Sequence, residues 1–410
     1  MEFMANVLPR LRMNLDFMPS PAPDHPGLLI RDPYRYSDAT LIVPPPLVPC
    51  LQLLNGAASE LELRELLVRI TGDIQVGPLQ DHLLRTLDDA GFLETEAFAD
   101  LAGRRRREFA EAPVREPSHC GPGGYPAEID PLKAALAGWM AGEPGANHRD
   151  SLVGIASPHV SPEGGWQSYR AAYSALRPEY RERTFVILGT SHYGPPEKFG
   201  LTRKPFVTPF GTTGTDLNLV DELASHAGGA VTMEDYCHAI EHSIEFQVVF
   251  LQHVYGPDVR ILPILCGAFA KSIYEGGKPE DDEGVRAFLG TLGEIAAREG
   301  DRLLWVLGID MAHIGSRYGN AYPALAYQGE MARVTVRDRE RIERVSAGHA
   351  SGFWELVQQN HDDLNWCGSA PLYTFLSAVP GVCGELRRYE QWNIDDQSVV
   401  SFAGMSFHAA

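Results

Sequence analysis

Four short apolar runs recur along the second part of the chain, and each one ends on polar residues. The runs are SLVGIAS before His159, TFVILGT before His192, VRILPIL before Cys266 and LLWVLGI before Asp310. Runs of this length, rich in branched residues, are typical of strands that are buried on both faces of a parallel sheet. Helical patterns such as residues 166–176 alternate with them. The pattern therefore predicts an α/β fold, with a mostly parallel sheet and helices on both faces.

The amino-terminal part of the chain has a helical pattern instead. Leucines recur near helical spacing in ASELELRELLVRITGD and in VGPLQDHLLRTLDDAGFLE, and Gly91 suits the end of the second helix. We predict a small helical, winged-helix-like or PqqD-like domain over residues 28–102, preceded by an extension of residues 1–27. The run GRRRREFAEAPVREP predicts a solvated linker over residues 103–117, and the α/β domain would cover residues 118–410.

Charge and composition narrow the function classes. The formal net charge of −19 argues against a partner held through its phosphates, so we expect neither nucleic acid nor a membrane surface as a partner. The long uncharged stretch of residues 39–59 contains four prolines and is not expected to span a membrane. Six cysteines lie far apart without a CxxC pair, which favours reduced thiols in the cytoplasm over a zinc ribbon or a disulfide framework.

Chemically versatile residues follow the predicted strands directly. His159 follows the first strand, His192 follows the second, and Asp310 and His313 follow the fourth. Right-handed crossovers bring the carboxyl ends of parallel strands to one edge of the sheet, where α/β proteins bind their ligands. These side chains are therefore candidates for one common site.

Two further segments carry candidate residues. The stretch YCHAIEHSIEFQVVFLQHVY predicts one helix, on which His238 and His242 share a face and Glu245 lies one turn from His242. Cys367 precedes a helix predicted to begin near Pro371. A thiol beside a helix amino terminus tends to have a lowered pKa, which suits a nucleophile or a metal ligand.

Taken in order, these segments resemble the Memo family, whose prokaryotic members are called AmmeMemoRadiSam system protein B. The resemblance runs from about residue 115 to residue 408. It rests on SHCGPGGYPAE (118–128), SPHVSPEGGWQSYRAAYSAL (157–176), FVILGTSHYG (185–194), EHSIEFQ (241–247), ILPILCGAF (261–269), LGIDMAHIG (307–315), CGSAPLYTFLSAV (367–379) and SVVSFAGMSF (398–407).

The resemblance implies a fold related to class III extradiol dioxygenases and a pocket that binds iron(II) or copper through two histidines and one cysteine. Carried over to this chain, those metal ligands would be His159, His192 and Cys367, with His242 as a nearby acid/base histidine. His238 stands where the family has acidic residues and is a further candidate. The family name implies a radical SAM protein and an Ammecr-type protein as partners. This chain has no CxxxCxxC motif, so radical chemistry would have to come from a separate protein.

Three functions are consistent with these residues, and the residues leave open whether the protein is an enzyme. The favoured hypothesis is a mononuclear redox centre in which His242 transfers a proton and His313 or Asp310 positions a ligand or substrate. The first alternative is a zinc-dependent hydrolase with His242 or Glu245 as its base. The second is a non-catalytic scaffold or peptide-binding protein. A homodimer is the default expectation for the assembly, and the substrate is not encoded in these residues.

Overall fold

The chain folds into two compact units. The structure is a computed structural model that describes residues 7–142, 152–227 and 229–409. The first unit comprises residues 1–111 and the second comprises residues 112–410. Each unit has a hydrophobic core of its own.

The first unit combines a small antiparallel sheet with helices. Its elements are β1 (Asp16–Pro19), β2 (Leu28–Arg31), β3 (Thr40–Val43), a 3-10 helix (Pro45–Leu53), α1 (Glu60–Thr71), α2 (Gly77–Asp89) and α3 (Glu96–Glu111). The leucines that predicted the first two helices point into the core, with Leu63, Leu67 and Leu87 almost fully buried. Because β1 pairs with β2 and Leu8 joins the same core, part of the segment predicted as an extension is built into this unit.

The arginine-rich segment, predicted as a solvated linker over residues 103–117, is helical up to Glu111 as the end of α3. Its arginines bind groups inside the first unit: Arg105 pairs with Asp38 at 2.6 Å, and Arg106 donates to the Tyr36 hydroxyl at 2.8 Å. These contacts explain why a segment so rich in charge continues α3. The boundary between the two units falls at its end.

The second unit is built from the remaining strands and helices. Its strands are β4 (Leu152–Ser157), β5 (Thr184–Thr190), β6 (Phe199–Leu201), β7 (Val207–Thr208), β8 (Gly211–Thr212), β9 (Gly214–Thr215), β10 (Val231–Met233), β11 (Arg260–Cys266), β12 (Leu303–Gly308), β13 (His313–Gly315), β14 (Val382–Asn393) and β15 (Ser398–Ala409). Its helices are α4 (Ile129–Trp139), α5 (Pro162–Tyr173), α6 (Leu217–His226), α7 (Cys237–Ile240), α8 (Glu245–Tyr255), α9 (Ala270–Glu275), α10 (Glu283–Glu299), α11 (Glu330–Ser346), α12 (Ala350–Gln358) and α13 (Ser369–Ala378). Within the described ranges, no helix is long and apolar enough to cross a membrane.

One large sheet organises this unit. Among the described residues, it contains ten strands, with the path β10-β6-β11-β5-β12-β4-β15-β13 and with β14 and β9 added at its sides. The four central strands, β11, β5, β12 and β4, are parallel, whereas β15 is antiparallel to β4 and β14. The predicted fold class, a mostly parallel sheet within an α/β domain, is confirmed.

Helices cover both faces of the sheet, because its central strands are apolar on both sides. In β5, Val186 and Leu188 join one core, whereas Phe185 and Ile187 join the other. The whole of β5 is buried, so the polar residues that follow it are the first ones free to line an open edge. This arrangement places the chemistry at the carboxyl ends of the strands.

Candidate metal centre

The carboxyl ends of β4, β5 and β12 deliver the predicted residues to one place. His159, His192 and Asp310 each follow the last residue of their strand by two positions. Two glycines near these ends make room for the HSI segment: a Cβ on Gly308 would lie 2.0 Å from the Ser243 carbonyl oxygen, and one on Gly189 would lie 2.6 Å from its hydroxyl. The glycines in the predicted LGT and LGI strand ends therefore allow the segment with His242 to approach the sheet.

Three side chains converge as a candidate ligand set. The donor atoms of His159, His192 and Cys367 all lie within 4.8 Å of one another, and His159 Nε2 is 3.3 Å from Cys367 Sγ. Metal–sulfur and metal–nitrogen bonds of about 2.3 and 2.1 Å at a tetrahedral angle would separate those two atoms by about 3.6 Å. The three residues thus have nearly the spacing that an ion requires, while their role as metal ligands stays a prediction.

His159 has one ring nitrogen committed and one directed at this centre. Its Nδ1 donates to the Gly308 carbonyl oxygen at 2.9 Å, which leaves Nε2 as the unprotonated nitrogen that a metal needs. The carboxyl of Asp310 accepts from the backbone N–H groups of His159 and Val160 and lies 3.5 Å from Nε2. Burial raises the pKa of Asp310 to about 6, although the nearby His313 counteracts this rise.

A buried glutamate that the sequence reasoning missed orients His192. Glu241 accepts a hydrogen bond from His192 Nδ1 at 2.9 Å and another from its backbone N–H. Burial opposes the imidazolium, but the Glu241 carboxylate outweighs it and raises the pKa of His192 well above its ordinary value. A carboxylate on the outer nitrogen of a histidine is the usual support of a metal ligand. The signal was present in the sequence, since Glu241 is the first residue of EHSIE.

Cys367 reaches the centre through a tight turn before α13. A Cβ on Gly368 would lie 2.6 Å from the Asp310 carbonyl oxygen, so the Cys-Gly pair needs glycine there for close approach. Burial alone would raise the pKa of the Cys367 thiol, but the imidazoles of His159 and His192 lower it below its ordinary value. A thiol that ionises easily is the form that binds soft and borderline metals.

His242 lies beside the three candidate ligands. Its ring centroid is 5.1 Å from that of His159 and 5.2 Å from that of His192, and it is stacked nearly parallel to the latter. A grouping of His192, Glu241 and His242 also has donor atoms within 4.8 Å. Glu241 lies in this grouping because it accepts hydrogen bonds from His192, so we assign it to the orientation of His192.

The single helix predicted around His242 is wrong. The chain leaves helical geometry after α7, with Glu241 extended at ψ 140°, and becomes helical again at Glu245. Ser243 holds the interruption by donating to the Thr190 carbonyl oxygen at 2.9 Å. His238 and His242 therefore do not share a helix face. His238 donates instead to the Gly200 carbonyl oxygen, and burial lowers its pKa to about 4.

A fourth histidine, His119, completes the cluster. Its ring lies 5.1 Å from His242, and its Nδ1 is 2.8 Å from the Ser118 hydroxyl. In the sequence, His119 lies in SHCGPGGYPAE, and no predicted strand precedes it. The pattern of polar residues after apolar strands therefore does not single out this histidine.

His313 lies at the start of β13 with its Nδ1 committed to carbonyl oxygens of Met311 and Asn365, at 2.9 and 3.1 Å. Burial lowers the pKa of His313. Among the described residues, neither His313 nor Asp310 joins a group with metal-ligand spacing. Their assignment as positioning residues for a ligand or substrate stays a prediction.

Glu245 is saturated with partners and is a poor base. Its carboxylate pairs with Arg115 at 2.6 Å and accepts from the Tyr125 hydroxyl, the Ser118 hydroxyl and the His119 backbone N–H. Burial alone would raise the pKa of Glu245, but the charge of Arg115 holds that pKa well below its ordinary value. Glu245 thus ties the segment at residues 115–125 to α8.

A cavity of about 330 Å³ opens beside two of the candidate ligands, His192 and Cys367. The rest of its wall comes from the end of β5, the region from β11 to α9, the 361–366 loop and the start of α13. Its lining residues are Thr190, Ser191, His192, Cys266, Ala268, Ala270, Ile273, Tyr274, His361, Asp362, Asn365, Trp366, Cys367, Ser369 and Ala370.

Comparisons with known proteins agree with the motifs. Residues 115–406 match the family described as Memo-like protein. The MEMO1 family protein of Aquifex aeolicus is 24% identical over 93% of this chain and 96% of its own length, and TK1477 of Thermococcus kodakarensis is 29% identical over 72% and 99%. The crystal structure of uncharacterized protein JW3007 from Escherichia coli K12 aligns with 62% of this chain and 99% of its own, at 11% identity and a TM-score of 0.36.

Proposed function

Because the chain belongs to the Memo-like protein family, we propose that it is a cytoplasmic metalloprotein that binds one iron or copper ion through His159, His192 and Cys367. The observation that carries this proposal is the spacing of the three donor atoms, all within 4.8 Å of one another. All six cysteines are free thiols, as expected of a reducing compartment.

The chemistry of the donors favours soft and borderline ions. Two imidazole nitrogens and one easily ionised thiol suit copper, iron or zinc and are a poor set for magnesium or calcium. His159 is held in the required tautomer by Gly308, and His192 by Glu241. A bound iron or copper ion would supply one-electron redox chemistry and a Lewis-acid position.

The protein residues around this set have separable tasks. His242 is close enough to both histidine ligands to give or take a proton at a small molecule in the pocket. Asp310 fixes the backbone at His159 through two accepted hydrogen bonds. His313, anchored by two carbonyl oxygens, would face a ligand with its other nitrogen. These tasks do not require the cleavage of a catechol ring.

Zinc-dependent hydrolysis is the second candidate, since the same donors suit zinc. Its base would have to be His242, because Glu245 is bound to Arg115 and to several other donors. Zinc content with ester or amide hydrolysis that His242→Ala abolishes would favour this function over redox chemistry.

Metal analysis of tag-free protein, prepared anaerobically after iron, copper and zinc have each been offered, tests the proposal. We expect about one equivalent of iron or copper in the wild type and at least a tenfold lower content in His192→Ala and Cys367→Ser. The exposed thiol variant Cys383→Ser is the matched control and should keep its metal. Equal metal in Cys367→Ser and Cys383→Ser would contradict the ligand assignment, and no specific metal in the wild type would favour a scaffold.

We extend the proposal to the partners that the family name implies, a radical SAM protein and an Ammecr-type protein. The support is the resemblance together with the lack of a CxxxCxxC motif in this chain. Co-purification of each partner with the wild type and with Cys367→Ser would test it. If Cys367→Ser still bound the partners, partner binding would not depend on the candidate metal centre.

A further inference from the structure

Part of the lining of the cavity beside His192 and Cys367 consists of small apolar side chains. Ala268, Ala270, Ile273 and Ala370 line that part, which lies between α9 and the start of α13. A cavity of about 330 Å³ is within the usual range for small-molecule pockets. An engineered cavity of about 150 Å³ already holds benzene, so this one has room for roughly two fused rings.

An unpartnered hydroxyl points to a polar contact on the ligand. Ser369 lines the cavity and is only 2% exposed, yet its Oγ has no hydrogen-bond partner among the described residues. A buried hydroxyl without a partner is costly and rare in folded proteins. Because Ser369 follows Cys367 by two positions, a ligand oxygen that satisfied it would sit near the candidate metal ligands.

Two aromatic side chains also line the cavity, and one of them lies in an unusual backbone segment. Tyr274 and His361 form a stacked pair with centroids 5.7 Å apart, and both line the cavity. Asn360, His361 and Asp362 have φ values of 54°, 55° and 54°, which makes three consecutive residues in the left-handed region that is uncommon outside glycine. Strained backbone of this kind often occurs at ligand sites, where the surrounding structure maintains it.

The cavity offers no free charge that would hold an ionic ligand. Within the described part of the chain, no lysine or arginine lines it, and Asp362 is its one carboxylate. That carboxylate pairs with Arg341 at 2.7 Å and accepts from the Trp366 backbone N–H. His192 also lines the cavity, but Glu241 balances its charge, so an anion would find no uncompensated positive side chain in this lining. A cation would compete with Arg341 for the Asp362 carboxylate.

We propose that this cavity binds a neutral, planar molecule of about two fused rings that carries one hydroxyl or carbonyl oxygen. The oxygen bonds to the Ser369 hydroxyl, and the rings pack against the alanine side chains and the Tyr274–His361 pair. This assignment deepens the proposed function by naming a substrate class for the same site. It rests on the proposed function only in so far as the bound molecule would lie beside a metal ion.

Binding of 2-naphthol, measured by calorimetry on metal-free and metal-loaded full-length protein, tests the proposal. Decahydro-2-naphthol keeps the hydroxyl but is not planar, and we expect it to bind at least tenfold more weakly. Ser369→Ala should weaken 2-naphthol binding about threefold to tenfold, in line with one lost hydrogen bond. Its stability to urea should not fall, because the hydroxyl has no partner to lose.

Two wall variants and a control complete the experiment. Ala270→Phe should abolish binding by filling the cavity, and Tyr274→Ala should weaken it, with little risk to folding because Tyr274 is 66% exposed. Tyr322→Ala, an exposed tyrosine outside the cavity, should bind as the wild type does. The proposal would be overturned if the wild type did not bind 2-naphthol. It would also be overturned if Ala270→Phe and Ser369→Ala both bound 2-naphthol as tightly as the wild type.

Metal content measured on the same samples separates the two proposals. Probe binding by a protein that takes up no metal would support the cavity assignment and reject the metal centre. Stoichiometric metal without probe binding would do the reverse.

Discussion

Two glutamates of one short motif have different tasks in this protein. Glu241 and Glu245 stand at the two ends of EHSIE, and both are almost fully buried. Glu241 contacts His192 at the candidate metal centre, whereas Glu245 pairs with Arg115 and holds the segment that precedes α4. The interruption of the helix at Glu241 turns the two carboxylates toward different neighbours. A buried carboxylate near a site is therefore a functional residue only if its partner is one.

The largest effect should come from breaking the Glu245 pair. Glu245→Gln leaves the fully buried Arg115 without its counter-ion, so we expect the free energy of unfolding to fall by about 3–5 kcal/mol. Urea unfolding of the metal-free full chain measures the loss.

Glu222 provides the matched control, because it pairs with Arg298 on the exposed surface. Glu222→Gln should cost about 1 kcal/mol or less. Metal content per folded molecule should stay near the wild-type value in both variants. If Glu245→Gln lost metal while its free energy of unfolding stayed unchanged, the structural assignment of Glu245 would be contradicted.

A smaller effect of a different kind is expected at the other end of the motif. Glu241→Gln removes the charge that orients His192, so metal affinity should fall about 10-fold to 100-fold. Competition with a chelator of known affinity measures this loss. Stability of the metal-free protein should fall less than in Glu245→Gln. An affinity within twofold of the wild type would remove Glu241 from the metal centre.

The last expected effect is confined to acidic pH and concerns His238. Its carbonyl oxygen accepts from Arg115 at 2.8 Å, so His238 supports the same buried arginine as Glu245. Burial holds its pKa at about 4 in the folded state, below an unfolded value of about 6.5. The unfolded chain thus binds the proton first as pH falls, and stability is lost between about pH 6.5 and 4. Between pH 7 and 5 the loss should be about 2 kcal/mol.

His238→Gln retains a donor for the Gly200 carbonyl oxygen but does not titrate. Urea unfolding of metal-free wild type and variant at both pH values isolates this histidine, because the other titrating groups are common to the two proteins. The same pH dependence in both would show that His238 does not contribute.

Much of the second unit was predictable from its sequence. The apolar runs before His159, His192 and Asp310 are buried parallel strands, because a strand covered on both faces favours apolar residues at successive positions. The small sheet of the first unit was not predicted, since its strands have four residues each and no clear alternation. The helix around His242 was wrong because a hydrogen bond from Ser243 to a distant strand outweighs the local helical pattern.

The sequence by itself determined the α/β class, the edge of the sheet at which the chemistry lies and the candidate ligand types. Apolar periodicity depends on local residues, and the handedness of crossovers follows a general rule, so both can be applied along the chain. Only the tertiary structure decided that Cys367 meets His159 across 208 residues, that Glu241 supports His192, and that the Ser369 hydroxyl is left without a partner. Contacts of this kind depend on the packing of distant segments, and hydrogen-bond geometry exists only once that packing is complete.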